Sequence, residues 1–172
     1  MINIRPLVDT LESGRVTRYH AAPTVAPQGM AHHQWNVAMF VLFVTDHRCT
    51  QSLLTEALCH DTGEYVTGDI PFTLKRDYPE LKVVLHKMEL DARQGMLGYK
   101  CDLTTWEAAV LKVCDTLDGL WWTHHHESPG GPVHGRWIDA YNLARFKFQK
   151  DLTPDEWSRA DRVFDYVGGR AS

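Results

Sequence analysis

Apolar residues recur at helical spacing along most of the chain, and strand-like alternation is scarce. Leu7 and Leu11 stand four apart within Pro6–Ser13, and Gly14 follows as a stop, which predicts a short first helix. Pro23, Pro27, Gly29 and several small residues make Thr17 to Met30 read as loop. Ala31 to Asp46 predicts a strongly apolar helix. Trp35, Met39, Phe40 and Phe43 leave little of its circumference polar, so it is expected at the centre of the fold. Thr50 suits the N-cap of a helix running to about Asp61, with Leu53, Leu54, Ala57 and Leu58 turned to the core. The run Thr67-Gly68-Asp69-Ile70-Pro71 breaks the pattern, and Pro79 then opens a helix to roughly Met96. Thr104-Thr105-Trp106-Glu107 has capping-box spacing ahead of a helix containing Leu111, Cys114 and Leu117. A break at Gly130 to Pro132 precedes an aromatic-rich helix, Arg136 to Phe148. Thr153-Pro154-Asp155-Glu156 starts the last helix, and Gly168-Gly169 stops it. With no repeat or interdomain linker, residues 1–172 read as one all-α domain of about seven helices, a helical bundle.

Composition narrows the class. A chain of 172 residues buries enough surface to fold without disulfides or a structural metal. Its 44% hydrophobic and 23% charged content excludes a disordered chain. The net charge of −4 removes the electrostatic case for binding a nucleic-acid polymer, while leaving room for a local basic pocket. Cys49, Cys59, Cys101 and Cys114 form no CxxC pair, which fits a reduced, cytoplasmic protein. Met1 to Asp9 does not resemble a signal peptide, and the longest apolar run, Val37 to Val44, is too short to span a membrane.

The candidate chemistry sits on three separated elements: His32-His33, His60-Asp61 and Asp115. Imidazole and carboxylate together suit Zn, Co, Mn or Mg, depending on geometry. Neighbouring side chains on a helix diverge by about 100°, so His60 and Asp61 reach one ion only where the helix frays. Glu64 lies three residues beyond Asp61, where a carboxyl can order an attacking water or protonate a leaving oxygen. Arg18, Lys75 and Lys112 add positive charge, which phosphoester hydrolysis needs because its transition state concentrates charge on phosphate oxygens.

The pattern His33 … His60-Asp61 … Asp115 resembles the H…HD…D signature of the HD-domain phosphohydrolases. Arg18-Tyr19, Val37-Ala38-Met39, His60-Asp61-Thr62-Gly63-Glu64, Thr67-Gly68-Asp69-Ile70-Pro71 and Lys75 are similar to the bacterial 5′-deoxynucleotidase branch. The HD pair alone is common; HDxxE followed at short range by TGDIP is specific. The short length and the VTRYH opening look closer to phage members, including dATP triphosphohydrolases, which remove the whole triphosphate from dATP. The resemblance implies a divalent metal (Zn, Co, Mn or Mg) on His33, His60, Asp61 and Asp115, with catalytic roles for Asp61 and Glu64. It places Arg18, Lys75, Lys112 and Asp69 against substrate, with Tyr19 on the sugar or base, where relatives often carry tryptophan. His32 replaces a glutamate of the bacterial enzymes, and Gly63 a small side chain.

The expected activity is conversion of dATP to deoxyadenosine plus triphosphate by a cytoplasmic homo-oligomer, in host cytoplasm if phage-encoded. The alternatives are a 5′-deoxynucleotidase acting on deoxynucleoside monophosphates and an idle nucleotide-binding module. A triphosphate chain needs several cations, and Arg18, Lys75, Arg76 and Lys112, with His20 and His32 near them in sequence, supply them. Plainer readings apply elsewhere. His32 reads as a satisfied surface histidine, Cys59 as a small buried hydrophobe, and Asp118 as an ordinary helix charge. Lys75 beside Arg76 reads almost equally well as part of a solvated face. His124-His125-His126 reads as a loop, since three adjacent residues cannot all face one ion, and Trp121-Trp122 as core or subunit interface.

Overall fold

The computed structural model describes residues 3–98 and 102–168. Among them are eight α-helices: α1 (Arg5–Ser13), α2 (Met30–Val44), α3 (Gln51–Cys59), α4 (Phe72–Asp77), α5 (Pro79–Leu97), α6 (Thr105–His126), α7 (Pro132–Phe148) and α8 (Pro154–Val167). A 3-10 turn, Thr62–Tyr65, follows α3, and two short strands, β1 (Thr17–Arg18) and β2 (Gln28–Gly29), precede α2. The expected all-α class holds.

The described chain forms two compact units. The first takes the chain up to Pro23, Pro27–Gln34, and the stretch from Cys59 through α5; the second takes Thr24–Ala26, Trp35–Leu58 and the chain from Asp102 onward. In the first unit α1 and α5 pack on each other and on the 3-10 turn, and α4 packs on α5. The strands pair antiparallel, Thr17 opposite Gly29 and Arg18 opposite Gln28, and the Met30 and Ala31 amides donate to Val16 and Gly14 carbonyls. Thr17 to Met30 is therefore a tied hairpin rather than plain loop. Two-residue strands carry no readable alternation, which is why the sequence pattern misses them.

The second unit holds the apolar core. Val110, Val113, Cys114, Leu117 and Leu120 of α6 meet Val37, Val41 and Val44 of α2 and Leu53 and Ala57 of α3. Tyr141 of α7 and Trp157, Ala160 and Phe164 of α8 close it, with the Tyr141 and Phe164 rings stacked at 4.4 Å. At Gly119 a side chain would collide with the Trp137 ring at 2.4 Å, so glycine lets α7 approach α6. The expected capping box of Thr104 with Glu107 forms, and Thr153 with Glu156 makes a second. Arg159 Nε donates to the Val44 carbonyl at 2.8 Å, satisfying an acceptor at the C-terminus of α2.

Several expectations change. Helix α4 is additional: six residues after Pro71 are too few for a periodic signal. Helix α7 starts at Pro132, four residues early, because Pro132 takes its first position instead of ending a break. His124 to His126 are the last turn of α6 rather than a loop. His125 and His126 turn their Nδ1 atoms to the Trp121 and Trp122 carbonyls, at 2.8 and 3.0 Å. Helix α2 is not buried all round, since Trp35, Met39 and Phe43, four apart, stay 57%, 44% and 44% exposed. Leu58 is exposed and Cys59 half-buried, because both stand where α3 ends. Cys49, Cys59 and Cys114 are free thiols; Cys101 and Gly169 lie outside the described residues. Among the described residues no helix is long and apolar enough to cross a membrane.

Candidate metal and phosphate site

The end of α3 brings His60 and Asp61 to one point. Helix α3 stops at Cys59, and Asp61 has φ −102° and ψ 8°, outside the helical basin, so the two side chains no longer diverge as on a helix. His33, fully buried in the first turns of α2, faces them. The His33 and His60 Nε2 atoms are 3.2 Å apart, and Asp61 Oδ2 lies 3.3 Å from His33 Nε2 and 3.5 Å from His60 Nε2. Donors held ~2.0–2.2 Å from one ion at tetrahedral angles stand ~3.3–3.6 Å apart, so this triangle has the dimensions of one face of a metal site. Burial opposes ionisation of Asp61, but His60, His33 and Arg18 outweigh it and hold the carboxyl well below the usual range. Two imidazoles and a carboxylate suit Zn, Co or Mn better than Mg, which prefers oxygen ligands.

The 3-10 turn carries Glu64 into a different environment. Its amide donates to the Asp61 carbonyl at 2.9 Å, and the residue is 7% exposed. Among the described residues its Oε2 has no hydrogen-bond partner. Burial, then the nearby Asp61 and Asp69 charges, push its pKa up to about 8 against the pull of Lys75 and Arg18. Near neutral pH Glu64 is mainly a carboxylic acid, able to give a proton. Asp61 and Glu64 thus split into an ionised ligand type and a proton donor, the separation expected of an acid–base site.

Cations surround this pair. Lys75 Nζ lies 3.6 Å from Glu64 Oε1 and 3.7 Å from Glu89 Oε1, so it belongs to no solvated face. Arg76, its neighbour, is 59% exposed and pairs with Asp77 at 2.7 Å, which points it away from Lys75's role. Arg18 is buried on β1, donates to Gln28 Oε1 at 3.3 Å and lies 5.7 Å from the centre of the Tyr19 ring. Tyr19 takes φ 63°, a left-handed conformation that bends the chain directly after Arg18. His20 Nδ1 and Asp69 Oδ2 approach to 3.9 Å. His32 is exposed, as expected of a surface histidine.

Asp115 and Lys112 lie on α6 in the second unit, one turn apart, joined by a 2.7 Å ion pair. Asp118, three residues on, is no ordinary helix charge: it is fully buried and accepts from Asn36 Nδ2 at 2.6 Å. Reasoning from sequence did not single out Glu89 or Gln28. Glu89 comes from the middle of α5, where nothing but helical register marks it.

The helical fold and this donor set are those that the H…HD…D resemblance implies. In shape the chain matches the cyanophage S-2L HD phosphohydrolase DatZ, solved with dA and one catalytic Zn2+ ion; the TM-score is 0.73 at 19% identity, over 94% of this chain and 96% of that one. The sequence pattern of the 5′-deoxynucleotidase YfbR-like family matches residues 12–102, more than half of the chain. The chain belongs to that family. It is also 26% identical over 125 residues to the dATP triphosphohydrolase of Cyanophage S-2L, spanning 69% of this chain and 70% of that protein. To the dATP triphosphohydrolase of Salmonella phage PMBT28 it is 28% identical over 130 residues, 69% of this chain and 66% of that protein.

Proposed function

We propose that this protein is a metal-dependent dATP triphosphohydrolase that releases deoxyadenosine and intact triphosphate. The observation that carries the reading is the His33–His60–Asp61 triangle beside the protonated Glu64. The phage enzymes it resembles carry that activity in their names. His33, His60 and Asp61 would hold the metal, and Asp115 would complete the shell from α6, as the H…HD…D spacing implies. A divalent ion there supplies Lewis acidity toward a phosphoryl oxygen and an acidified water.

The chain's own groups account for the rest. Glu64 donates its proton to the 5′-oxygen as the P–O bond breaks, so the nucleoside leaves as an alcohol rather than an alkoxide. The resulting carboxylate faces Lys75, which stabilises it. Arg18, already buried and anchored by Gln28, is preorganised to meet phosphate oxygens without further ordering cost. Lys75 and Lys112 neutralise the rest of the phosphate chain. Tyr19, turned by its left-handed backbone, offers a ring face to the sugar or base, and Asp69 a carboxylate to a sugar hydroxyl.

Such an enzyme works in cytoplasm, that of the host if phage-encoded. The exposed Trp35, Met39 and Phe43 on one face of α2 support self-association, which light scattering checks. Membership of a 5′-deoxynucleotidase family favours a second reading, in which the same residues cleave deoxynucleoside monophosphates. Turnover of a panel of deoxynucleoside mono- and triphosphates with added Zn, Mn or Co tests both. dATP should be hydrolysed fastest; faster dAMP hydrolysis would favour the nucleotidase, and no release from any nucleotide would leave a binding module.

A further inference from the structure

Asn36 and Asp118 form a polar pair within the apolar core of the second unit. Asn36 is 7% exposed and Asp118 0%, and the Asn36 amide donates to Asp118 Oδ1 at 2.6 Å. The two helices that carry them, α2 and α6, also contribute Val37, Val41, Val113 and Leu117 to that core. Attraction among such apolar side chains has no direction, so it tolerates a slide of one helix along the other. A buried amide and carboxyl are costly unless they meet at hydrogen-bond geometry, so their pairing admits one register. Apolar side chains in place of a buried polar pair commonly leave stability equal or higher, so stability alone does not account for this one. Its place along the helices does. Asn36 stands one turn after His33 on α2, and Asp118 one turn after Asp115 on α6.

We propose that Asn36 and Asp118 are positioning residues that fix the register of α2 and α6, so that His33 and Asp115 reach one ion. The inference rests on the reading of Asp115 as a metal ligand. A slip of one helical turn moves a side chain by about 5.4 Å, whereas ligand atoms must stand about 2.0–2.2 Å from the ion, within about 0.2 Å. Neither Asn36 nor Asp118 touches metal or substrate in this scheme.

Asn36→Leu with Asp118→Leu removes the hydrogen bond and keeps a branched side chain at both places. Titration of the metal-free protein with Co2+, followed by its visible absorption, reads affinity and coordination without turnover. The double variant should bind Co2+ about 10- to 100-fold more weakly than wild type, with an altered spectrum. Metal-free, it should melt at the wild-type temperature or higher. A pair that served stability alone would instead lower the melting temperature and leave the spectrum unchanged. Asp118→Asn still accepts from Asn36 and should bind Co2+ as wild type does. Asn36→Ala with Asp118→Ala removes the same bond without added bulk and should match the leucine pair in affinity and spectrum, so the prediction stands on whichever folds. In an Asp115→Ala background either double change should weaken Co2+ binding no further. Wild-type affinity and spectrum in a folded double variant, or equal losses in Asp118→Asn and the double variants, would overturn the role of the pair alone. Wild-type Co2+ affinity in Asp115→Ala would overturn the ligand reading, and this inference with it.

Discussion

The raised pKa of Glu64 is a statement about stability as well as catalysis, and Glu64→Gln isolates it. Glutamine matches the protonated carboxyl in size but cannot ionise. In the chelated protein the Glu64 carboxyl titrates near 8, against 4.5 for an ordinary glutamate, because it is buried beside Asp61 and Asp69. Between these values the folded state binds more protons than the unfolded state, so unfolding free energy falls as pH rises. The stabilisation is whole below about pH 4.5 and is lost as pH climbs through about 8. Integrating the two titrations from pH 5 to pH 8 gives a loss of about 3–4 kcal/mol from this one residue. Urea unfolding followed by circular dichroism, at pH 5 and pH 8 with chelator present, reads it directly. Wild type and Glu64→Gln should differ little at pH 5, and the variant should be the more stable at pH 8 by about that amount. Other titrating groups cancel in the difference. Identical pH dependence in the two proteins would refute the burial argument and return Glu64 to an ordinary carboxylate.

Three further outcomes follow from the same geometry. Glu64→Gln should retain its metal but lose about 10²–10⁴-fold in single-turnover rate, since it has no proton to give; a loss below tenfold would remove Glu64 from the mechanism. Asp115→Ala should lose bound metal by elemental analysis with an unchanged helical dichroism spectrum, because Lys112, with which it pairs, is half exposed and α6 is capped independently by Thr104. Gly63→Ala should destabilise the protein by about 1–3 kcal/mol or more, read as a lowered melting temperature, because the clash is with backbone rather than a side chain that can swing aside.

The sequence revealed most of the helices because long amphipathic or apolar segments with clear caps leave a strong periodic record. Thr104 even announced its capping box. Short elements left none: α4 has six residues and each strand two. The candidate donors stood out because metal chemistry restricts both the type and the spacing of its ligands, as in His60-Asp61 and the glutamate three residues on. What binary pattern could not supply was direction. It did not distinguish Lys75 from Arg76, although one is shared by two buried acids and the other pairs outward with Asp77. Nor did it reveal Glu89, fourteen positions from Lys75, whose place beside that lysine depends on how α5 lies against the 3-10 turn. Asp118 was misread for a related reason, since its burial depends on Asn36 of α2, far away in sequence.

In the proposed reaction one hydrolytic event separates the whole phosphate chain from the nucleoside. Ion-exchange chromatography of a dATP reaction, sampled before a tenth of the substrate has reacted, tests it most directly. Deoxyadenosine and intact triphosphate should appear in equal amounts from the earliest sample, with no dADP or dAMP at any time. Stepwise appearance of orthophosphate, or accumulation of dADP, would contradict it.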